Sequence, residues 1–184
     1  MRLFKSKGNV NLKYIYSMKK KLLSLLWAFS CISVSAGNFS SQTIDFGVVV
    51  TDIGKSLEFY KEVVGFSEKD GFEVKGNFPK KVGLTDGTPL KIHVLTLGEE
   101  EKATKLKLMQ VSSPQVTRKI SQPYIHTIAG FSYLTIFVND VDRVLANALK
   151  KGYQPYAQSP QTLPKGLAQD VCLLMLKDTD GNFV

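Results

Sequence analysis

The sequence predicts an α+β fold built from two copies of one β-α-β-β-β module. Three observations carry this. First, the chain repeats itself. VVVTDIGKSLEFYKEVVGF resembles TIFVNDVDRVLANALKKGY at an offset of 88 residues, with Asp52 over Asp140, Ile53 over Val141 and Leu57 over Leu145. Second, in each copy a β-branched and aromatic run ends at an acid, after which apolar positions recur at helical spacing. Third, each helical stretch closes on glycine and an aromatic residue, Gly65-Phe66 or Gly152-Tyr153, and strand-like segments follow.

The chain opens on a leader rather than on the fold. Residues 1–36 hold seven of the 24 Lys and Arg and no acid. The rest carries 17 basic against 16 acidic residues, so the formal charge of +8 leaves no basic face for nucleic acid. From Met18, MKKKLLSLLWAFSCISVSAG sets three lysines before an apolar run, Leu22 to Ile32, and then small residues up to Ala36. This is the order of a secretory signal over 18–36, with cleavage after Ala36 and export to the periplasm or cell exterior. The run is too short for a permanent transmembrane anchor. Cys31 offers the alternative of a lipid-attached cysteine, against which stands the bulky Phe29. Residues 1–17 read as an over-called start. Without the leader Cys172 is the sole cysteine, so no internal disulfide forms. It lies in the apolar VCLLMLK and reads as a small core residue.

Residues 44–184 then form one domain. In the first module, 44–112, Asp52 is placed to cap a helix and Gly65 to end it. Phe59 and Tyr60 on that helix read as core. The strands that follow are GFEVKG, PLKIHVLTLG and KLKLMQVS, separated by GNFPKK, LTDGT and the charged EEEKATK. A linker, 113–130, lies over the domain as a candidate lid. In the second module, 131–184, Asp140 opens the helix and Gly152 closes it. Strands are expected near YQPYAQSP and in DVCLLMLKD, with a Pro/Gln/Gly stretch between. DTDGN, 178–182, is a turn by its chemistry, with Asp accepting local N–H groups and Gly181 supplying a positive φ.

This arrangement resembles the vicinal oxygen chelate superfamily, the glyoxalase, bleomycin-resistance and extradiol-dioxygenase group. The resemblance rests on V-x-D-x-x-x-S-x-x-F-Y, matched by Val50, Asp52, Ser56, Phe59 and Tyr60, and on Gly65-Phe66. It rests also on D-x-D-G-N, matched by Asp178, Asp180, Gly181 and Asn182. It implies paired modules whose curved, mixed sheet encloses a ligand cleft. It also implies a divalent metal held by His and Glu, one from each of four strands, polarising two adjacent substrate oxygens.

Those positions are differently filled here. The first, seven residues before the helix-opening Asp52, is Asp45; the second, within an L-E-L context, is Lys107 in Leu106-Lys107-Leu108. The third, seven before Asp140, is Tyr133, and the fourth would be residue 185, past the end of this sequence. An ammonium repels a divalent ion, and a phenol ligates only after losing a proton with a pKa near 10. The nearby residues Phe46, Gln110 and Leu134 do not rescue the site, none of them being His or Glu. His93, on a strand, and His126, in the linker, lack a second ligand at suitable spacing.

No metal or other cofactor is therefore expected, the alternative being a divalent ion at a rearranged site. The leading expectation is an exported protein that binds a small molecule in the cleft, as drug-sequestering members of the superfamily do. Asp45, Lys107 and Tyr133 would line that cleft and recognise a polar or zwitterionic ligand between apolar walls. A second reading is a lyase- or dioxygenase-like enzyme with Asp45 as base and Tyr133 as acid. A third is a non-catalytic interaction protein. Oligomeric state is open, a homodimer included.

Overall fold

In the computed structural model the described residues are 43–99, 102–111, 119–164, 166, 167 and 171–184. The expected leader, with Cys31, lies outside them, as do parts of the charged turn and of the linker.

A four-stranded sheet organises the first copy. Strands β1 (Phe46–Val49), β2 (Ser67–Val74), β3 (Leu90–Thr96) and β4 (Lys105–Val111) stand in the order β1-β4-β3-β2. β1 runs parallel to β4, and the other pairs are antiparallel. The parallel pair needs a crossover, and helix α1 (Ile53–Glu58) provides it, continuing as a π-helical turn over Phe59–Val64. Asp52 caps α1 by accepting from the Lys55 N–H at 3.1 Å, as its side chain and position dictate. Gly65, at φ +103°, ends the helical run, and the N–H groups of both Gly65 and Phe66 bond to the Tyr60 carbonyl.

The sheet has two faces. Leu95, Leu106 and Leu108 point at the helical run and join Val50, Phe59, Tyr60 and Val63 in the main core. Leu90, Ile92 and Val94 point the other way and form a second apolar cluster with Val74, Met109 and Val111. Among the described residues no helix covers that second side in the way the helical run covers the first, and the sheet is not closed.

The second copy builds its helix, α3 (Val141–Lys150), which packs on the first copy's helical run. Asp140 caps it by accepting from Arg143 N–H at 2.9 Å, and Gly152 follows at φ +83°. Its strands are far shorter than the repeat predicts. β5 (Gln161–Thr162) and β6 (Cys172–Leu173) form a two-residue ribbon, and Pro155, Pro160 and Pro164 deny the region three backbone donors. Residues 131–137 alternate in burial like a strand, with Leu134 and Ile136 on the core, yet among the described residues they pair through a single bridge from Tyr133 to Phe183.

Three local expectations are corrected. Cys172 is exposed, because a two-residue ribbon has no second layer to bury it. GNFPKK contains one helical turn, α2 (Phe78–Lys81), with Pro79 near its start where a missing N–H costs nothing. β2 begins at Ser67 rather than Gly71, and carries a bulge between Lys69 and Phe72. At that bulge Gly71 lies so close to the Ile92 carbonyl oxygen that a Cβ would collide with it.

Candidate functional site

Asp45 and Lys107 meet. Gly47 stands in register with Lys107, so Asp45, two residues before Gly47, shares its face, and Lys107 Nζ lies 2.8 Å from Asp45 Oδ2. The ammonium beside Asp45 holds its carboxyl below the ordinary carboxylate value, aided by Lys105, whose backbone N–H and charge also favour the anion. Both partners are about a third exposed, so the pair sits at the surface of the open face rather than in a dry interior.

An open cleft of about 1490 Å³ borders this face and includes Asp45, Lys107, Lys105, Lys69, Phe72 and Ile92. It continues round the β2 edge to the helix side. There Glu68 accepts from Lys61 Nζ at 2.6 Å and meets His93 Nδ1 at 3.2 Å. These two contacts hold the Glu68 carboxyl below its ordinary value, Lys61 contributing most. His93, on the internal strand β3, is thus a hydrogen-bond partner of Glu68 on the edge strand β2.

Tyr133 is placed elsewhere. Its side chain lines a separate cavity of about 260 Å³ with Phe46, Phe66, Leu106, Leu134 and Ile136. Phe46 and Leu106 belong to the helix side of the sheet, so this cavity lies behind β1 and β4, away from the Asp45–Lys107 pair. Its location follows from the docking of 131–137 on the core through Leu134 and Ile136.

The donor set does not suit a divalent metal. Of the two residues brought together, one is cationic and engages the other's carboxylate. Among the described residues no three His, Cys, Asp or Glu side chains cluster as a metal site. Lys69, Lys105 and Phe72 escaped the sequence reading although they share the face. The period-two step back from Lys107 to Lys105 would have found one of them.

Pinned across the second copy is the segment after 118. Ile120 N–H donates to the Asp180 carbonyl at 3.0 Å, Lys119 Nζ to the Thr179 carbonyl at 2.8 Å, and Lys177 Nζ to the Gln122 carbonyl at 2.7 Å. Tyr156 donates its hydroxyl to the Pro123 carbonyl farther along, and none of the described residues of this segment borders the open-face cleft.

Comparison with known proteins fits this geometry. A glyoxalase-family protein from Bacillus cereus superposes with a TM-score of 0.58 at 16% identity, covering 80% of this chain and 93% of that one. The trypanothione-dependent glyoxalase I of Leishmania major gives 0.52 at 19%, covering 78% and 84%. A glyoxalase I mutant from Zea mays gives 0.54 at 18%, covering 77% of this chain and 42% of the longer one. At such identities the likeness shows the fold alone. Among curated proteins nothing matches the sequence. The family model for the glyoxalase/bleomycin resistance protein/dioxygenase superfamily, however, matches residues 43–184. The chain belongs to that superfamily.

Proposed function

We propose that the protein binds a small molecule on the open face of its sheet without a metal ion, and that it does so outside the cytoplasm. One observation carries the binding reading. Two of the three residues at the positions where the family resemblance implies chelating side chains, Asp45 and Lys107, are a carboxylate and an ammonium that satisfy each other at 2.8 Å. Such a pair presents one acceptor and one donor to a ligand, and a divalent ion would have to displace the ammonium first. Asp45 and Tyr133 border different cavities and do not face a common point, so the base-and-acid pairing finds no support in the geometry. Export is supported by the lysine, apolar and small-residue order of 18–36.

The test is a fragment titration of isotope-labelled protein in chelator, read by amide shifts. Binding should move Ile92, Val94 and Lys107 and leave Leu95 and Leu108, which face the helix, unmoved. A broad fragment set that shifts nothing on the open face at millimolar concentration would contradict the proposal.

A further inference from the structure

The open face is sorted by chemistry. Phe72, Ile92 and Met109 stand in one register row across β2, β3 and β4, and Lys69, Val94 and Lys107 stand in the next. Lys105 lies beyond, opposite Thr96. Residues directly opposite on neighbouring strands share a face. One half of this face is therefore apolar and the other cationic. Successive rows are about 7 Å apart at two residues of strand per row.

We infer that the face takes an amphiphilic oxyanion. The apolar body lies over Phe72 and Ile92, and a carboxylate or similar head sits among Lys69, Lys107 and Lys105. The inference rests on the small-molecule reading above and adds the ligand class to it.

Four features support this class. The chain already supplies carboxylates to the cationic half: Glu99 pairs with Lys69 and accepts from Ser67 Oγ at 2.9 Å, and Asp45 pairs with Lys107. Glu99 is well exposed and Asp45 partly so, and surface pairs of that kind hold weakly, so an incoming anion can replace them. Lys105 forms no ion pair among the described residues, which leaves a cation available. At the apolar end Phe72 is 48% exposed beside Ile92 at 6%, an aromatic surface on a buried floor. On β1, Gly47 carries no side chain, and a Cβ there would come within 3.0 Å of Met109 Cε. The flexible Met109 thioether thus fills the space over Gly47 and forms a movable apolar wall where the apolar and cationic rows meet.

The experiment titrates the full-length protein with sodium octanoate, 1-octanol and octyltrimethylammonium, which share one apolar body and differ in head charge. Octanoate should shift the Ile92, Val94 and Lys107 amides and bind about tenfold more tightly than the cationic analogue. The double change Lys69→Gln with Lys105→Gln should cost octanoate about tenfold and leave octanol unchanged. Phe72→Ala should weaken both. Octanol or octyltrimethylammonium binding as tightly as octanoate, or octanoate indifferent to the lysine changes, would overturn the ligand class while leaving the cleft a binding site. Failure of all three, together with a failed fragment titration, would overturn the binding reading as well.

Discussion

Tyr60, on the first copy's helical run, donates its hydroxyl to Asp178 Oδ2 at 2.8 Å across 118 positions of sequence. Around it, Thr51 bonds to Asp180 and Ser56 to Thr179, so the closing turn of the second copy is fastened to the strand end and helix of the first. Asp178 also accepts from the backbone N–H groups of Asp180 and Asn182. Burial raises the Tyr60 phenol far above its ordinary value, and the Asp178 charge adds to the shift. Below about pH 10 the phenol is neutral in folded and unfolded chains alike. Above that, only the unfolded chain loses the proton, so stability falls as pH rises. Tyr60→Phe should cost about 1–3 kcal/mol at neutral pH, since a buried acceptor loses a partner. It should also flatten the alkaline decline. Denaturant melts at several pH values check both, and a variant with parental stability and slope would remove this bond from the explanation.

Gly181 serves two demands at once. It holds φ +91°, and the Ile120 carbonyl oxygen packs where a Cβ would be. Gly181→Ala should therefore destabilise by more than about 1 kcal/mol. It should also speed exchange of the Ile120 amide, which bonds the Asp180 carbonyl. Parental stability with unchanged Ile120 exchange would contradict the close packing.

Lys107→Met keeps the length of the side chain and removes its charge. The Asp45 pKa should then rise toward the ordinary carboxylate value, measured by carboxyl-carbon NMR titration. In the parent the lowered pKa gives stability that is present above the unfolded carboxylate value and lost as pH falls through the folded one. Because both partners are about a third exposed, the loss in the variant should stay below about 1 kcal/mol. An unmoved Asp45 titration would show that the two groups do not interact in solution.

The secretory reading gives a separate expectation. Expressed from Met18, the protein should be recovered outside the cytoplasm with an N-terminus near Gly37. Mature protein that keeps residues 18–36 would refute the cleavage, and a lipid on Cys31 would establish the alternative anchor.

The locally encoded parts of the fold were legible in the sequence. Asp52 and Asp140 cap their helices because a short acceptor just before an apolar-periodic run has nearby N–H groups to meet. DTDGN folds as its own chemistry requires. The start of β2 was hidden because Ser67–Asp70 is polar, as an edge strand can be, and Asp70-Gly71 signals a turn as readily as a bulge. Tyr133 and Cys172 were misjudged for a different reason. Their surroundings depend on where the second copy's short strands dock, which is long-range packing that no window of sequence contains. The Asp45–Lys107 meeting followed from the family pattern, whereas the lysine and aromatic rows beside it became readable only once the register was known.

Metal content tests the central claim most directly. Lys107 occupies one implied chelating position and Asp45, its ion-pair partner, another, while Tyr133 lies at a separate cavity. After dialysis, elemental analysis of the purified protein should find far less than one equivalent of zinc, nickel, iron or manganese, and chelator should leave the melting temperature unchanged. A bound ion at high saturation would raise stability by several kcal/mol, about 3–4 at 100 to 1,000 times its Kd. Stoichiometric metal, with a melting temperature that falls on chelation, would contradict a metal-free binding face.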